Sequence, residues 1–284
     1  MPEHLTVRQA LVQCGLAPVD ANVLLAHVTG KNRAWLAGHA TDDLPQQHYE
    51  RFLSMAKRRR DGEPVAYLTG WREFHNIMLH VTPDVLIPRP ETETLVDAVL
   101  SCVATDAPAR ILDLGTGSGA IALALAHARP RAEVTAVDAS VAALAVASAN
   151  GQRLGIGNVR FLRSNWFDGV GDNRFDAIVA NPPYIAADDP HLLEGDLRFE
   201  PRDALTPGDN GLSALRAIIR GAPDHLATGG SLLVEHGYEQ SDAVRTLLAQ
   251  HGFVDIRSIR DLAGHWRVAT GRGTQPDQAM QSLP

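Results

Sequence analysis

"RILDLGTGSGA", residues 110–120, decides the fold. Its first half is an apolar run with one carboxylate inside, the pattern of a strand buried on both faces. Gly115, Gly117 and Gly119 follow at alternate positions, permitting a tight turn and close backbone approach to a ligand. "GAIALALAHARP" then reads as a helix, whose N-terminus favours negative charge. The same alternation continues downstream. "EVTAVDAS" is a second strand with "VAALAVASANGQRLG" as its helix, "VRFLRS" a third strand and "FDAIVANPP" a fourth. "SLLVEHG" follows a helical stretch around 211–226, and "VDIRSI" and "HWRVATG" follow a helix within 239–251. Alternating strands and helices with fully apolar strands predict an α/β domain built on a mostly parallel, doubly wound, seven-stranded sheet, its last two strands pairing antiparallel at the edge.

Upstream, residues 1–70 carry helical signals and predict a small all-α domain. Thr6 precedes "VRQALVQCGL", Asp20 precedes "ANVLLAHVTG" with Gly30 as C-cap, and a third helix runs from about Pro45 to Arg60. "KRRRDGEP" (57–64) closes the domain, and its basic run reads as a solvated helix face. Residues 71–90 alternate like strands and contain a Thr-Pro-Asp turn, so they read as a hairpin-like connector. "PETETLVDAVLSCV" opens the larger domain, 91–271, with a helix; the tail 272–284 has the composition of a disordered segment.

The bulk numbers narrow the function classes. A chain of 284 residues, 45% hydrophobic and 21% charged, has enough apolar residues for a sizeable core. A net charge of −7 argues against a protein that coats nucleic acid. Cys14 and Cys102 make neither a disulfide framework nor a metal site, and both read as buried small hydrophobes. With neither a signal peptide nor an apolar run of about 18 residues, the expectation is a cytoplasmic protein without a membrane partner.

The ligand is narrowed in two steps. Asp138 ends the second strand, next to the glycine loop in this topology. A carboxylate there can take both ribose hydroxyls, which suits NAD and S-adenosylmethionine equally; alternatively it caps the next helix. Gly115, Gly117 and Ala120 also fit the dinucleotide pattern, so the loop alone leaves both cofactors open. Asn165-Trp166 follows the third strand, where Trp166 is either a cofactor contact or ordinary core.

"ANPPYIAA", residues 180–187, carries the chemistry. Two prolines stop the fourth strand and fix the turn after it. Asn181 offers a side-chain carbonyl, and Pro182 offers a backbone carbonyl without an N–H. Those two acceptors can hold the two hydrogens of a planar –NH2, with Tyr184 as a flat surface beside it. The target is therefore an amide or an exocyclic base amine. Hydrogen bonds to its protons stabilise positive charge developing on nitrogen during methyl transfer, and no metal is needed.

The run from Asp113 to Gly119 with Asp138 resembles the cofactor site of class I (Rossmann-like) methyltransferases. Together with Asn-Pro-Pro-Tyr and with "AYLTGWREF" (66–74), "LIPRPETE" (86–93), "FEPRDAL" (199–205) and "EHGYEQ" (235–240), the chain resembles the protein-(glutamine-N5) methyltransferases, the HemK/PrmC family. That resemblance implies S-adenosylmethionine as methyl donor, with S-adenosylhomocysteine as product. It implies Asp113, Gly115, Thr116, Gly117, Ser118, Gly119, Asp138, Trp166 and Asn181 as cofactor contacts, Asp113 lying near the methionine portion. It implies Asn181, Pro182, Pro183 and Tyr184 around a substrate glutamine, in the Gly-Gly-Gln loop of class 1 peptide chain release factors. The helical front domain is then the part that recognises the release factor. "LIPRPETE" has no chemistry derivable from its residues; Arg89 reads as an ion-pair partner or a substrate-loop contact. The alternatives are a glutamine methyltransferase for a ribosomal protein and an adenine-N6 or cytosine-N4 nucleic-acid methyltransferase. An NAD oxidoreductase and a non-catalytic binding module fit less.

Overall fold

The computed structural model describes residues 5–106 and 108–274. The chain divides into two compact units, Met1–Trp71 with Glu194–Phe199, and Arg72–Leu193 with Glu200–Pro284.

The first unit is helical: α1 (Val7–Gln13), α2 (Pro18–Thr29), α3 (Arg33–Gly38), α4 (Gln46–Arg60) and α5 (Val65–Thr69). Thr6 starts α1 with a reciprocal cap, its hydroxyl accepting from Gln9 N at 3.3 Å while Gln9 Oε1 accepts from Thr6 N at 2.8 Å. Helix α2 begins three residues earlier than expected because Pro18, with its missing N–H and fixed φ, suits a first helical position. Helices α3 and α5, six and five residues long, are too short to display a period and were not expected. Leu24, Leu25, Leu36 and Phe52 form the core of this unit.

The basic run of α4 is not simply a solvated face. Arg59 is half-buried between Asp20 and Asp196, 2.7 Å from each. Arg58 pairs with Glu63, and Arg60 donates to the Cys14 carbonyl. The cysteines also differ from expectation: Cys14 is buried, but Cys102 is exposed at the end of its helix.

The second unit opens with a hairpin, β1 (Trp71–Phe74) and β2 (Ile77–His80). Its turn residues are His75 and Asn76, both at positive φ as a two-residue turn requires. The Thr-Pro-Asp turn is a separate one, closed by Val85 N donating to Thr82 O at 3.1 Å. Then come α6 (Glu93–Cys102), β3 (Arg110–Leu114), α7 (Ala120–Ala128), β4 (Glu133–Asp138), α8 (Val141–Leu154), β5 (Val159–Arg163) and β6 (Phe175–Ala180). The rest is α9 (Arg202–Leu205), α10 (Ser213–His225), β7 (Leu226–Glu235), α11 (Ser241–Gln250), β8 (Val254–Arg260) and β9 (Trp266–Arg272). Strand β9 continues to Arg272, so that residue is ordered sheet rather than tail, and residues 275–284 lie outside the described residues.

The seven strands run β5-β4-β3-β6-β7-β9-β8, parallel except for β9, which is antiparallel to both neighbours. This is the α/β architecture that the alternation predicts. Alternate residues feed opposite faces. Ile111, Ala177 and Val179 join a core that includes α6 and α7; Leu112, Leu114 and Ile178 join one that includes α10 and α11. Every residue from Ala120 to Ala126 is buried, which is why α7 shows an apolar run and no polar face.

Register positions the site. Leu114 of β3 lies opposite Val137 of β4 on one side and Ala180 of β6 on the other, and Ala180 lies opposite Val234 of β7. The residues that follow these are Asp138 after Val137, Gly115 after Leu114, Asn181 after Ala180 and Glu235 after Val234. Four residues far apart in sequence therefore stand in one row at the carboxyl end of the sheet.

Candidate active site

The glycine loop wraps over the end of β3. Gly115 N and Thr116 N both donate to the Val137 carbonyl at 2.9 Å, and Gly119 N donates to Thr116 O at 2.8 Å. Gly117 has φ +56, and a Cβ added there meets nothing within 4 Å. Gly119 has φ +83, and its Cβ would press on Leu123 and Ala147 at 3.0–3.3 Å. One glycine thus leaves room for a ligand, and the other lets α7 pack closely.

Asp113 is fully buried beneath this loop. Its Oδ2 accepts from the Thr116 hydroxyl at 2.7 Å, while Oδ1 is buried with no hydrogen-bond partner. Burial raises its pKa to about 7, against the pull of the Thr116 hydroxyl, and the Asp138 charge adds to the rise. Asp138 holds the loop from the side, Oδ2 accepting from Gly117 N and Oδ1 from Ser140 N, both at 2.9 Å. Ser140, not Asp138, caps α8.

A cavity of about 430 Å³ opens in front of these groups. Gly115, Gly117, Asp138, Trp166, Asn181 and Pro183 line it. Trp166 adopts φ +50, and its ring lies over Gly115. The opposite walls come from connector residues 84–86 and from Pro201, Asp203 and Ala204, none of which the sequence pattern marked as a contact. Asp113, Thr116, Ser118 and Gly119 do not line the cavity; they are buried and shape the loop from behind.

The Asn-Pro-Pro-Tyr corner divides in the same way. Asn181 reaches the cavity and donates from Nδ2 to the Thr92 hydroxyl at 3.1 Å. Pro182 is buried. The Tyr184 hydroxyl turns inward and donates to Glu235 Oε1 at 3.0 Å, so Pro183 rather than Tyr184 supplies cavity lining. Burial and the adjacent Glu235 carboxylate push the Tyr184 hydroxyl well above its ordinary pKa. Burial raises Glu235 to about 7, with the Thr92 and Tyr184 hydroxyls and the Arg267 guanidinium opposing it.

Three of the stretches that carry the resemblance supply buried polar groups. "LIPRPETE" provides Thr92, "FEPRDAL" provides Glu200 and "EHGYEQ" provides Glu235 and His236. Glu200 accepts from Ile87 N at 2.9 Å and pairs with Arg89, which makes Arg89 an ion-pair partner. The sequence signal for all three was a polar residue inside a proline-rich or apolar segment, and it names no partner. Among the described residues, no group of three or more His, Cys, Asp or Glu is placed to hold a metal.

Known proteins share this arrangement. The family profile described as "PrmC N-terminal domain" matches residues 6–70, and "Methyltransferase small domain" matches 93–194. The release factor glutamine methyltransferase of Bordetella pertussis is 50% identical over 266 residues, covering 93% of this chain and 98% of that protein. The protein of the same name from Pseudomonas aeruginosa is 50% identical over 256 residues, covering 90% and 92%. A methyltransferase crystal structure from Pyrococcus furiosus superposes with a TM-score of 0.53 at 20% identity, covering 69% of this chain and 89% of that one. That last likeness concerns the fold alone.

Proposed function

This chain belongs to the release factor glutamine methyltransferase family, and on that premise we infer that the cavity at the strand ends is where a substrate amide meets its methyl donor. The chain is a methyltransferase that moves a methyl group from S-adenosylmethionine to the side-chain amide nitrogen of a release-factor glutamine. We place that glutamine in the Gly-Gly-Gln loop of class 1 peptide chain release factors, so the modification serves translation termination. The observation that supports the reading is the row Asp138, Gly115, Asn181, in which the proposed nucleoside anchor and amide acceptor end the two strands that flank β3.

The residues present fit the donor. Asp138 faces the cavity with lone pairs left for ribose hydroxyls. Gly117 leaves open the space that a side chain would fill. Trp166 gives the cavity a flat apolar wall. When bound, S-adenosylmethionine supplies an electrophilic methyl carbon on a sulfonium.

The chain's own residues do the rest. The Asn181 carbonyl and the Pro182 carbonyl accept the two amide hydrogens and fix the nitrogen in line with that carbon. An amide nitrogen is a poor nucleophile because its lone pair is delocalised, so charge stabilisation on nitrogen matters here. The lone pair forms the N–C bond as the C–S bond breaks, leaving a neutral thioether, and one N5 proton passes to water afterwards. The helical unit, residues 1–70, recognises the release factor, and the net charge of −7 speaks against a nucleic-acid substrate. Among the described residues no helix is long and apolar enough to cross a membrane.

Labelled S-adenosylmethionine incubated with the full chain and purified release factor, ribosomal proteins or DNA tests this reading. Label mapping to one release-factor glutamine is expected. Label on a ribosomal protein or on DNA alone would replace it.

A further inference from the structure

We propose that Thr92 and Glu235 are positioning residues that decide which end of the Asn181 amide faces the substrate. The proposal rests on the amide-clamp reading above.

The two ends of an asparagine side chain have nearly the same shape and opposite hydrogen-bonding character. Methyl transfer to an amide –NH2 needs the carbonyl end forward. With the NH2 end forward, donors would face donors and the substrate nitrogen would lose its acceptor. Something behind Asn181 must therefore accept from its NH2.

That acceptor is the Thr92 hydroxyl, 3.1 Å from Asn181 Nδ2 and buried at 4% exposure. A hydroxyl can donate or accept, so by itself it would not choose. Glu235 makes the choice. It stands next to Asn181 in the strand-end row, is 1% exposed, and interacts with the Thr92 hydroxyl. In its ionised form, which prevails above about pH 7, the carboxylate only accepts, so it draws the Thr92 proton to itself and leaves the Thr92 lone pair for Asn181. Tyr184 donates to the same carboxylate from the same corner, at 3.0 Å. Hydroxyl protons thus converge on Glu235, and the Asn181 carbonyl is left for the cavity. This gives "PETE" and "EHGY" a shared task at a site neither touches directly.

Single-turnover methylation of release factor by the full chain tests the proposal, with S-adenosylmethionine affinity measured by calorimetry on each variant. Thr92→Val keeps the shape and removes the hydroxyl. Its transfer rate should fall ~10–100-fold, the scale of a misplaced reacting group, while cofactor affinity stays near wild type. Thr92→Ser should restore most of that rate. Glu235→Gln should also slow transfer, because its amide can donate to Thr92 and unfix the orientation. A Thr92→Val rate equal to wild type, beside an inactive Asn181→Ala, would overturn the proposal and spare the clamp. So would Thr92→Ser performing no better than Thr92→Val. Should Thr92→Val lose cofactor binding, a wild-type rate in cofactor-binding Glu235→Gln decides against the proposal. An active Asn181→Ala removes the clamp and the proposal together.

Discussion

Asn181 is where residue chemistry and reaction meet. Asn181→Ala should bind S-adenosylmethionine nearly normally yet lose about 10²–10³ in turnover, the cost of one preorganised polar group. Asn181→Asp retains an acceptor but adds a charge, so partial activity at most is expected. Single-turnover rates within a few-fold of wild type for Asn181→Ala would end the amide-clamp explanation. Asp138→Ala should weaken cofactor binding by about 1.5–3 kcal/mol for each charge-assisted hydrogen bond lost, as read by calorimetry. Asp113 adds a pH dependence with a definite sign. Its pKa is raised to about 7 by burial, so a proton sits on it below that pH, and it acts on the cofactor only through the loop it holds by the Thr116 hydroxyl. Loss of that proton strengthens the tie, so cofactor affinity should rise as pH increases through about 7, and Asp113→Asn should flatten the curve. The same shift destabilises the ligand-free protein at higher pH: the folded state holds its proton more tightly, so this contribution is full below pH 3.8, is lost as pH climbs from there to about 7, and changes little above. A melting temperature that did not fall across that interval, in the absence of ligand, would contradict the assignment.

Elements hold these residues through buried polar ties between distant segments. Glu200 fastens Ile87 N and Arg89, and so sets the connector residues 84–86 that wall the cavity. Glu200→Gln should cost about 1.5–3 kcal/mol, the range for hydrogen bonds to a charged group, in a denaturant titration. The full cost of breaking a wholly buried pair is not expected, because Arg89 keeps 29% exposure. Cofactor affinity should weaken alongside stability. A variant as stable as wild type would show that the tie is incidental. The glycine loop works at this scale too. Its alternation puts Gly115 and Gly117 at the cavity and buries Thr116, Ser118 and Gly119. The resemblance assigned the whole run to the cofactor, whereas the backbone turn divides it between contact and support.

At the scale of the whole molecule, the proposed recognition role of the helical unit can be separated from the chemistry of the sheet unit. A protein truncated to residues 80–284 should bind S-adenosylmethionine and methylate intact release factor poorly. Truncation also strips segment 194–199 of its helical partners, Arg59 to Asp196 among them. Full activity on intact release factor would show that residues 1–70 do not serve recognition.

The sequence by itself determined the longer elements and their order. Strand and helix periods, caps such as Thr6 and Gly30, and the glycine turn after β3 are local, so a short window of residues suffices to read them. It also determined the acceptors of the Asn-Pro-Pro-Tyr corner, because the donor and acceptor inventory of a residue belongs to the residue. What it could not contain was partnership across distance. Arg59 reads as a solvated charge until Asp20 and Asp196 arrive beside it. Tyr184 reads as a substrate platform until Glu235, on a strand two columns from β3, claims its hydroxyl. Asn181 and Glu235 are 54 positions apart (235 − 181) and come together only once β6 and β7 lie in register. Buried polar groups must find hydrogen-bond partners, and which partners they find is fixed by packing, not by neighbours in sequence.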